Sequence, residues 1–439
     1  MPIFYNLLPL IRRKIPGQLV IQLTDRCNAR CPQCGMRTSE PFKRTTLSLD
    51  DVKRTLDAAP EKGIRVVSFT GGEPLLMIDE LVALIKYAAA AGIEYIRTGT
   101  NGFYFARPDR PSFQLRVNKL AEKLAGTPLR NLWISIDSLD PETHETMRGF
   151  KDVIQGIEMA LPVLHAHGIF PSANLGVNRN VGGDTTRQCI QTAHMSDTQY
   201  IDRFHETYLE AFDKFFRFII NLGFTMASIC YPMSIDDDAN QKGLEAVYAA
   251  TSTDSIVHYS TAEKAALFRA LLDTVPNFRS QVRIFSPLCS LKSLLDQYQQ
   301  IGPQPYPCRG GLDFFFINAK DGNTYPCGYR GNNNFGKLWN LSDNHLDLDC
   351  KCFACDWECF RDPSELFGPF LQAFSTPFKL LAKIKANPRH FHYWFNDLRY
   401  YWACNFFDGR EPPRPDRLQS FASNNFRTNS NVNVVFNAG

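Results

Sequence analysis

The feature that most constrains this chain is a repeated exchange of short β-branched or aromatic runs with stretches of helical periodicity. Strands are expected at residues 19–25, 65–70, 95–100, 132–137, 172–177 and 225–231. Helices are expected between them at 48–59, where Ser48 and Asp51 stand at capping-box spacing, and at 77–91, 151–167 and 200–222. In the last of these Phe204, Tyr208, Phe212, Phe215, Phe218 and Leu222 recur at helical spacing, a stripe that reads as core packing. Alternation of this kind builds βαβ units and a parallel sheet. About six units are visible, short of the eight of a closed barrel. The expected class is α/β, a partial (β/α)6 TIM-type barrel followed by a small cysteine-rich domain.

In such a sheet the chemistry sits on loops after the C-terminal ends of the strands. Cys27, Cys31 and Cys34 follow the first strand, Gly71-Gly72-Glu73-Pro74 the second and Asn101-Gly102 the third, while Ser135 and Asp137 end the fourth. Four motifs are thus expected at one mouth.

Charge and hydropathy exclude several classes. Of 439 residues, 48 are Lys or Arg and 45 Asp or Glu, a formal charge of +3, too balanced for electrostatic nucleic-acid binding. No run approaches the ~18 apolar residues of a spanning helix. The apolar residues 1–10 are followed by Arg12, Arg13 and Lys14, the wrong polarity for an export signal, so a cytoplasmic protein is expected. Thirteen cysteines, clustered rather than dispersed, then read as metal ligands or catalytic thiols rather than a disulfide framework.

A cubane iron–sulfur cluster normally takes four thiolates. Cys27, Cys31 and Cys34 supply three, which would leave one iron open for a chelating ligand, as in catalytic metal centres. Zinc would need a fourth ligand close by, and the nearest histidine in sequence is His144. Buried structural thiols are the remaining alternative.

Cys27-x3-Cys31-x2-Cys34 after one strand and the Gly71–Pro74 loop after the next resemble the radical S-adenosylmethionine (radical SAM) superfamily over roughly residues 19–231. The resemblance implies a [4Fe-4S] cluster whose open iron chelates SAM, and one-electron cleavage of SAM to a 5′-deoxyadenosyl radical that abstracts hydrogen from an unactivated C–H bond. It also implies that Gly71, Gly72, Glu73 and Pro74 line the methionine amino group and that Arg148 pairs with the SAM carboxylate. Ser135 and Asp137 would meet the ribose, and Asn101 is a further contact. The family's aromatic residue before the third cysteine is replaced by Gln33, so an adenine contact there would have to be polar.

After about residue 280 cysteine, glycine and asparagine rise and periodicity fades, as in a small domain held by metal. Cys308, Gly322-x4-Cys327, then Cys350, Cys352, Cys355 and Cys359 resemble the SPASM/twitch extension of radical SAM enzymes, although its Cys-x2-Cys-x5-Cys element is here Cys350-x-Cys352-x2-Cys355. One or two auxiliary [4Fe-4S] clusters are expected. For two, Cys308, Cys327 and Cys359 would hold one with Cys289 or an outside group, and Cys350, Cys352 and Cys355 the other with Cys404. A single cluster would use Cys308, Cys327, Cys355 and Cys359, and a zinc-ribbon-like site is the third choice. Cys189 and Cys230 read as buried thiols. The divisions are 1–18, 19–280, 281–365 and an aromatic–basic extension 366–439 with a poorly ordered tail from about Leu418.

The implied reductant is a flavodoxin or ferredoxin. About 18 residues precede the first strand, too few for a peptide-recognition domain, which favours a small-molecule or lipid substrate over a ribosomally made peptide. The apolar start and residues 378–402 suit peripheral contact with a membrane, or packing against the barrel. A non-catalytic iron–sulfur scaffold is the reading of another class, and no substrate-side catalytic residue can be named.

Overall fold

The computed structural model describes residues 8–34, 43–192, 194–232, 244–247, 255–302, 306–342 and 352–422. One sheet organises them. Its strands are β1 (Gly17–Thr24), β2 (Ile64–Gly71), β3 (Tyr95–Thr100), β4 (Asn131–Ser135), β5 (Ser172–Gly176), β6 (Met226–Cys230), β7 (Arg283–Ile284), β8 (Phe314–Ile317) and β9 (Thr324–Tyr325), in the spatial order β7-β6-β5-β4-β3-β2-β1-β8-β9. Neighbours are parallel throughout except β8 and β9. The six expected strands lie in chain order and the sheet stays open, a partial barrel.

Side chains alternate across each strand, and β1 shows what that does. Leu19, Ile21 and Leu23 join the main core under the helices, whereas Gln18, Val20 and Gln22 line the barrel cavity. The helices fall where periodicity placed them, at Leu49–Ala58, Ile78–Ala90, Val153–Ala166 and Asp197–Leu222. Ser48 caps the first, its hydroxyl accepting the Asp51 N–H at 3.1 Å. Phe204, Tyr208, Phe212 and Phe215 on the last are buried core.

The region after residue 280 differs from expectation. It is strongly helical, with helices Leu288–Gln299, Glu358–Ser375, Pro377–Ala386 and Pro388–Ala403. Pro363 and Pro369 inside one of them, and aromatic residues on all sides of another, mask the period in the sequence. Nor does the sheet stop at residue 280: β7 extends one edge and β8 pairs with β1 at the other. Phe315 and Ile317 of β8 enter the main core, while Phe314 and Phe316 enter a second cluster with Ile15, Trp357 and Phe360.

The helix Pro388–Ala403 packs on the barrel. Its Asp397 pairs with Arg279 at 2.6 Å, both fully buried, and the Tyr400 hydroxyl donates to Val282 O at 3.0 Å. Order continues past the expected start of the tail, because Leu418 and Phe421 bury themselves beside Tyr400. Residues 423–439, and most of the apolar start, lie outside the described residues.

Candidate functional site

A cavity of ≈ 500 Å³ opens at the C-terminal ends of the strands. The loops around it are bolted to one another. Gly72 N–H donates to Thr24 O (2.7 Å) and Glu73 N–H to Arg26 O (2.9 Å), tying the β2 loop to the cysteine loop. A Cβ on Gly71, whose φ is +146°, would stand 2.3 Å from Thr24 O, and one on Gly72 2.1 Å from Arg26 O. The glycines are therefore required by contact between two loops of this chain, rather than by close approach of a ligand alone.

Glu73 continues the lock. Fully buried, it accepts the Leu75 N–H at 3.0 Å on one oxygen and the Asn101 N–H at 2.6 Å on the other. Burial pushes its carboxyl up to about 7 against the pull of those hydrogen bonds. Asn101 returns to the first loop, its Nδ2 donating to Asn28 Oδ1 at 2.9 Å and lying 3.6 Å from Cys27 Sγ.

The β4 end supplies a second network. Asp137 Oδ2 accepts from Gln33 Nε2 at 2.7 Å and from Arg148 Nε at 2.6 Å. Its backbone N–H donates to His144 Nδ1 at 3.1 Å. Burial pushes His144 down to about 4, so the ring is neutral and its proton sits on Nε2. Arg148 ends the helix Pro141–Arg148; burial opposes its charge, but Asp137 and the thiols of Cys31 and Cys34 hold its pKa above the ordinary arginine value. Gln33 and His144 escaped sequence reasoning as members of this network, since their partners are remote in sequence or on a turn.

Cys31, Cys34, Gly71, Gly72, Glu73, Pro74, Asn101, Ser135, Asp137 and Arg148 all line the one cavity. Cys27 stands beside it against Asn101. Burial raises the pKa of Cys27 and of Cys31, with Arg148 drawing Cys31 back down. Two observations test a cluster-bound SAM here. Three thiols with a nearby guanidinium form a donor set that suits an iron–sulfur cluster with an anionic ligand. Gln33 Oε1 is buried without a partner, an acceptor poised for an amino N–H such as adenine's. The residues fit the group.

The second cysteine set gathers differently from its expected groupings. Cys308, Cys327, Cys352 and Cys355 surround one small gap of ≈ 10 Å³ with Gly310, Trp357 and Phe360. Cys308 and Cys352 are bridge partners, Cys308 N–H donating to Cys352 O at 2.9 Å. Burial, then mutual repulsion among the thiols, drives Cys327 and Cys355 far above the usual thiol range, a strain that bound cations would relieve. Four thiols round a closed gap fit a fully ligated cluster. Among the described residues no group of three or more His, Cys, Asp or Glu is placed to hold a single metal ion.

Three expected ligands fall elsewhere. Cys359 lines the large cavity, because the helix Glu358–Ser375 turns it away from Cys355. Cys289 is buried in the main core, and Cys404 in a third apolar cluster with Met226 and Phe407, so neither completes a cluster. Cys350 lies outside the described residues. Cys230, expected to be an inert core thiol, lines the large cavity instead.

An open barrel sheet with three thiols and a lock of loops at its mouth fits the barrel class of iron–sulfur proteins. Residues 21–179 match the radical SAM superfamily. Members of that superfamily use a [4Fe-4S] cluster and SAM. The chain is 34% identical over 177 residues to GTP 3′,8-cyclase of Desulforamulus reducens, covering 38% of this chain and 50% of that protein. It is 31% identical over 150 residues to GTP 3′,8-cyclase of Mannheimia succiniciproducens, covering 33% and 41%. The chain thus spans about half the length, or less, of these curated relatives. Among solved structures, anSMEcpe with bound AdoMet aligns at TM-score 0.49 and 14% identity, over 87% of this chain and all of that one. Streptococcus suis SuiB bound to the precursor peptide SuiA aligns at 0.43 and 17%, over 71% and 59%.

Proposed function

We propose that this chain is a radical SAM enzyme that abstracts hydrogen from a small-molecule or lipid substrate, assisted by one auxiliary cluster. The observation that carries the reading is the lock of three loops around Cys27, Cys31 and Cys34 at the mouth of a single cavity. When bound by those thiolates, the cluster and SAM supply a 5′-deoxyadenosyl radical able to break an unactivated C–H bond. Glu73 would receive the SAM ammonium, and Arg148 its carboxylate. Ser135 and Asp137 would take the ribose hydroxyls, and Gln33 the adenine amine. Full iron loading of an anaerobic preparation, with no 5′-deoxyadenosine formed from SAM and reductant, would overturn the proposal.

Apolar and aromatic side chains such as Val66, Trp133, Phe316 and Phe367 line the cavity, which favours a small or apolar substrate. GTP is not carried over from the relatives. A triphosphate asks for several cations, whereas the described lining residues offer Arg97 and Arg148, and Arg148 is the group assigned to the SAM carboxylate. A peptide is the second substrate reading. Cys308, Cys327, Cys352 and Cys355 would hold the auxiliary cluster and relay electrons, so about eight irons per chain are expected, two cubanes; about twelve would restore the two-cluster alternative.

Among the described residues no helix is long and apolar enough to cross a membrane. Peripheral contact has a specific candidate, the helix Pro377–Ala386, which buries no residue, exposes Phe378 (85%) and Leu381 (61%), and carries Lys379 and Lys385 on the same ten residues. Co-sedimentation with anionic liposomes should weaken in the Phe378→Asp variant. No binding by the unaltered chain would end this part of the proposal.

A further inference from the structure

The β6 side of the cavity carries groups that SAM binding does not use. Cys230 ends β6, and Glu358 and Cys359 form the first turn of the helix Glu358–Ser375; all three line the cavity. Cys359 Sγ donates to Glu358 Oε1 and Cys230 Sγ to Asn174 Oδ1, each at 3.4 Å. The second carboxylate oxygen, Glu358 Oε2, is buried with no hydrogen-bond partner, a costly arrangement unless something in the cavity meets it. Burial, then the neighbouring Glu358, pushes both thiols well above the usual range, and burial raises Glu358 itself. The thiols therefore keep their protons. A neutral S–H bond is weaker than most C–H bonds and gives its hydrogen atom readily to a carbon radical.

We propose that Cys230 is the hydrogen-atom donor of this site, with Glu358 as the proton source that restores it. The inference rests on the radical SAM reading and extends it to a reaction class. The carbon that loses hydrogen to the deoxyadenosyl radical regains one, so the substrate is inverted or rearranged without net oxidation. In the closing step a C–H bond forms as the Cys230 S–H bond breaks, leaving a thiyl radical. One electron from an iron–sulfur or flavin reductant and one proton from Glu358 return the thiol. SAM is consumed, with two electrons and one proton taken up per turnover.

Two measurements test this. In the first, SAM alone is cleaved by the reconstituted enzyme in deuterium oxide with dithionite. The fraction of 5′-deoxyadenosine carrying deuterium is read by mass spectrometry. Exchangeable S–D supplies the label, since the O–D bond of the solvent is too strong to yield it. The unaltered enzyme should release labelled product, the fraction should fall to background in Cys230→Ala, and it should persist in Cys359→Ala. In the second, the cluster-free chain is treated with methyl methanethiosulfonate and its peptides mapped. Cys230 should be modified while Cys189 and Cys289, sealed in the core, are not. Unlabelled 5′-deoxyadenosine from an active enzyme, label persisting in Cys230→Ala, or Cys230 as unreactive as Cys289 would each overturn the inference alone. No 5′-deoxyadenosine at all would overturn the enzymatic reading beneath it.

Discussion

The two cysteine sites solve one ligand problem in opposite ways. Cys27, Cys31 and Cys34 lie within eight residues on one loop, and their environment is built by hydrogen bonds from the β2 and β3 loops. Cys308, Cys327 and the pair Cys352 and Cys355 come from three separate segments, brought together by the β8–β9 hairpin and the backbone β-bridge between Cys308 and Cys352. The first site opens into ≈ 500 Å³, and the second closes on ≈ 10 Å³. Two thiols lining open space with a third beside them, and four thiols round one small gap, mirror the division between catalytic centres that keep a position free and structural centres that do not.

The largest effect should come from removing one thiol at each site. Cys31→Ala should abolish 5′-deoxyadenosine formation while leaving about four irons per chain, those of the closed site. Cys327→Ala should lose the other half of the iron, lower the melting temperature, and leave SAM cleavage measurable. Iron analysis and electron paramagnetic resonance on both variants check this. Loss of both clusters in either variant would break the contrast between the sites.

Next in size is the ion pair of the open site. Arg148 and Asp137 are 2.6 Å apart with side chains 13% and 2% exposed. Removing one partner of such a pair costs about 3–5 kcal/mol. Arg148→Met should therefore weaken SAM binding by orders of magnitude and also destabilise the apo chain. Calorimetry with SAM, paired with thermal melting, separates the two losses.

The contrast also explains what could be read in advance. The six strands and the open-site residues were legible because each motif follows a strand whose alternation is visible, and three ligands share one loop. The grouping of the second set was not, because it depends on which segments β8 pairs beside β1 and on how the helix Glu358–Ser375 turns. Four positions separate Cys355, in the loop before the helix, from Cys359 in its first turn, yet the two face different cavities. Likewise Cys230 reads as a core thiol in sequence, and only the position of β6 at the cavity wall shows otherwise.

Glu73 gives a smaller, pH-dependent effect confined to the open site. Its carboxyl titrates at about 7 in the folded chain and in the ordinary carboxylate range when unfolded. Between those values the folded chain holds a proton that the unfolded chain has lost, so this group's contribution to stability falls as pH rises. Below the window the group is neutral in both states, and above about 7 the full penalty remains. The melting temperature of the unaltered chain, relative to that of Glu73→Gln, should fall by an amount worth a few kcal/mol between pH ~5 and ~8. A flat or rising difference would show that the carboxyl is ionised throughout.

Smallest, and most directly comparative, is one added methyl at a glycine of each site. At Gly72 a Cβ would meet Arg26 O at 2.1 Å, and at Gly310 it would meet Pro326 O at 2.8 Å and Cys308 Sγ at 3.6 Å. Both contacts are too close, and overpacking of this kind costs about 1–3 kcal/mol. The first clash is the tighter and falls on the hydrogen bonds that join two loops, so Gly72→Ala should lose more stability and should release the cysteine loop. Gly310→Ala can yield by shifting one turn of the hairpin and should leave SAM cleavage intact. If Gly310→Ala proved the more damaging to SAM cleavage, the open site would depend on the closed one for its geometry, and the two could no longer be treated as independently built.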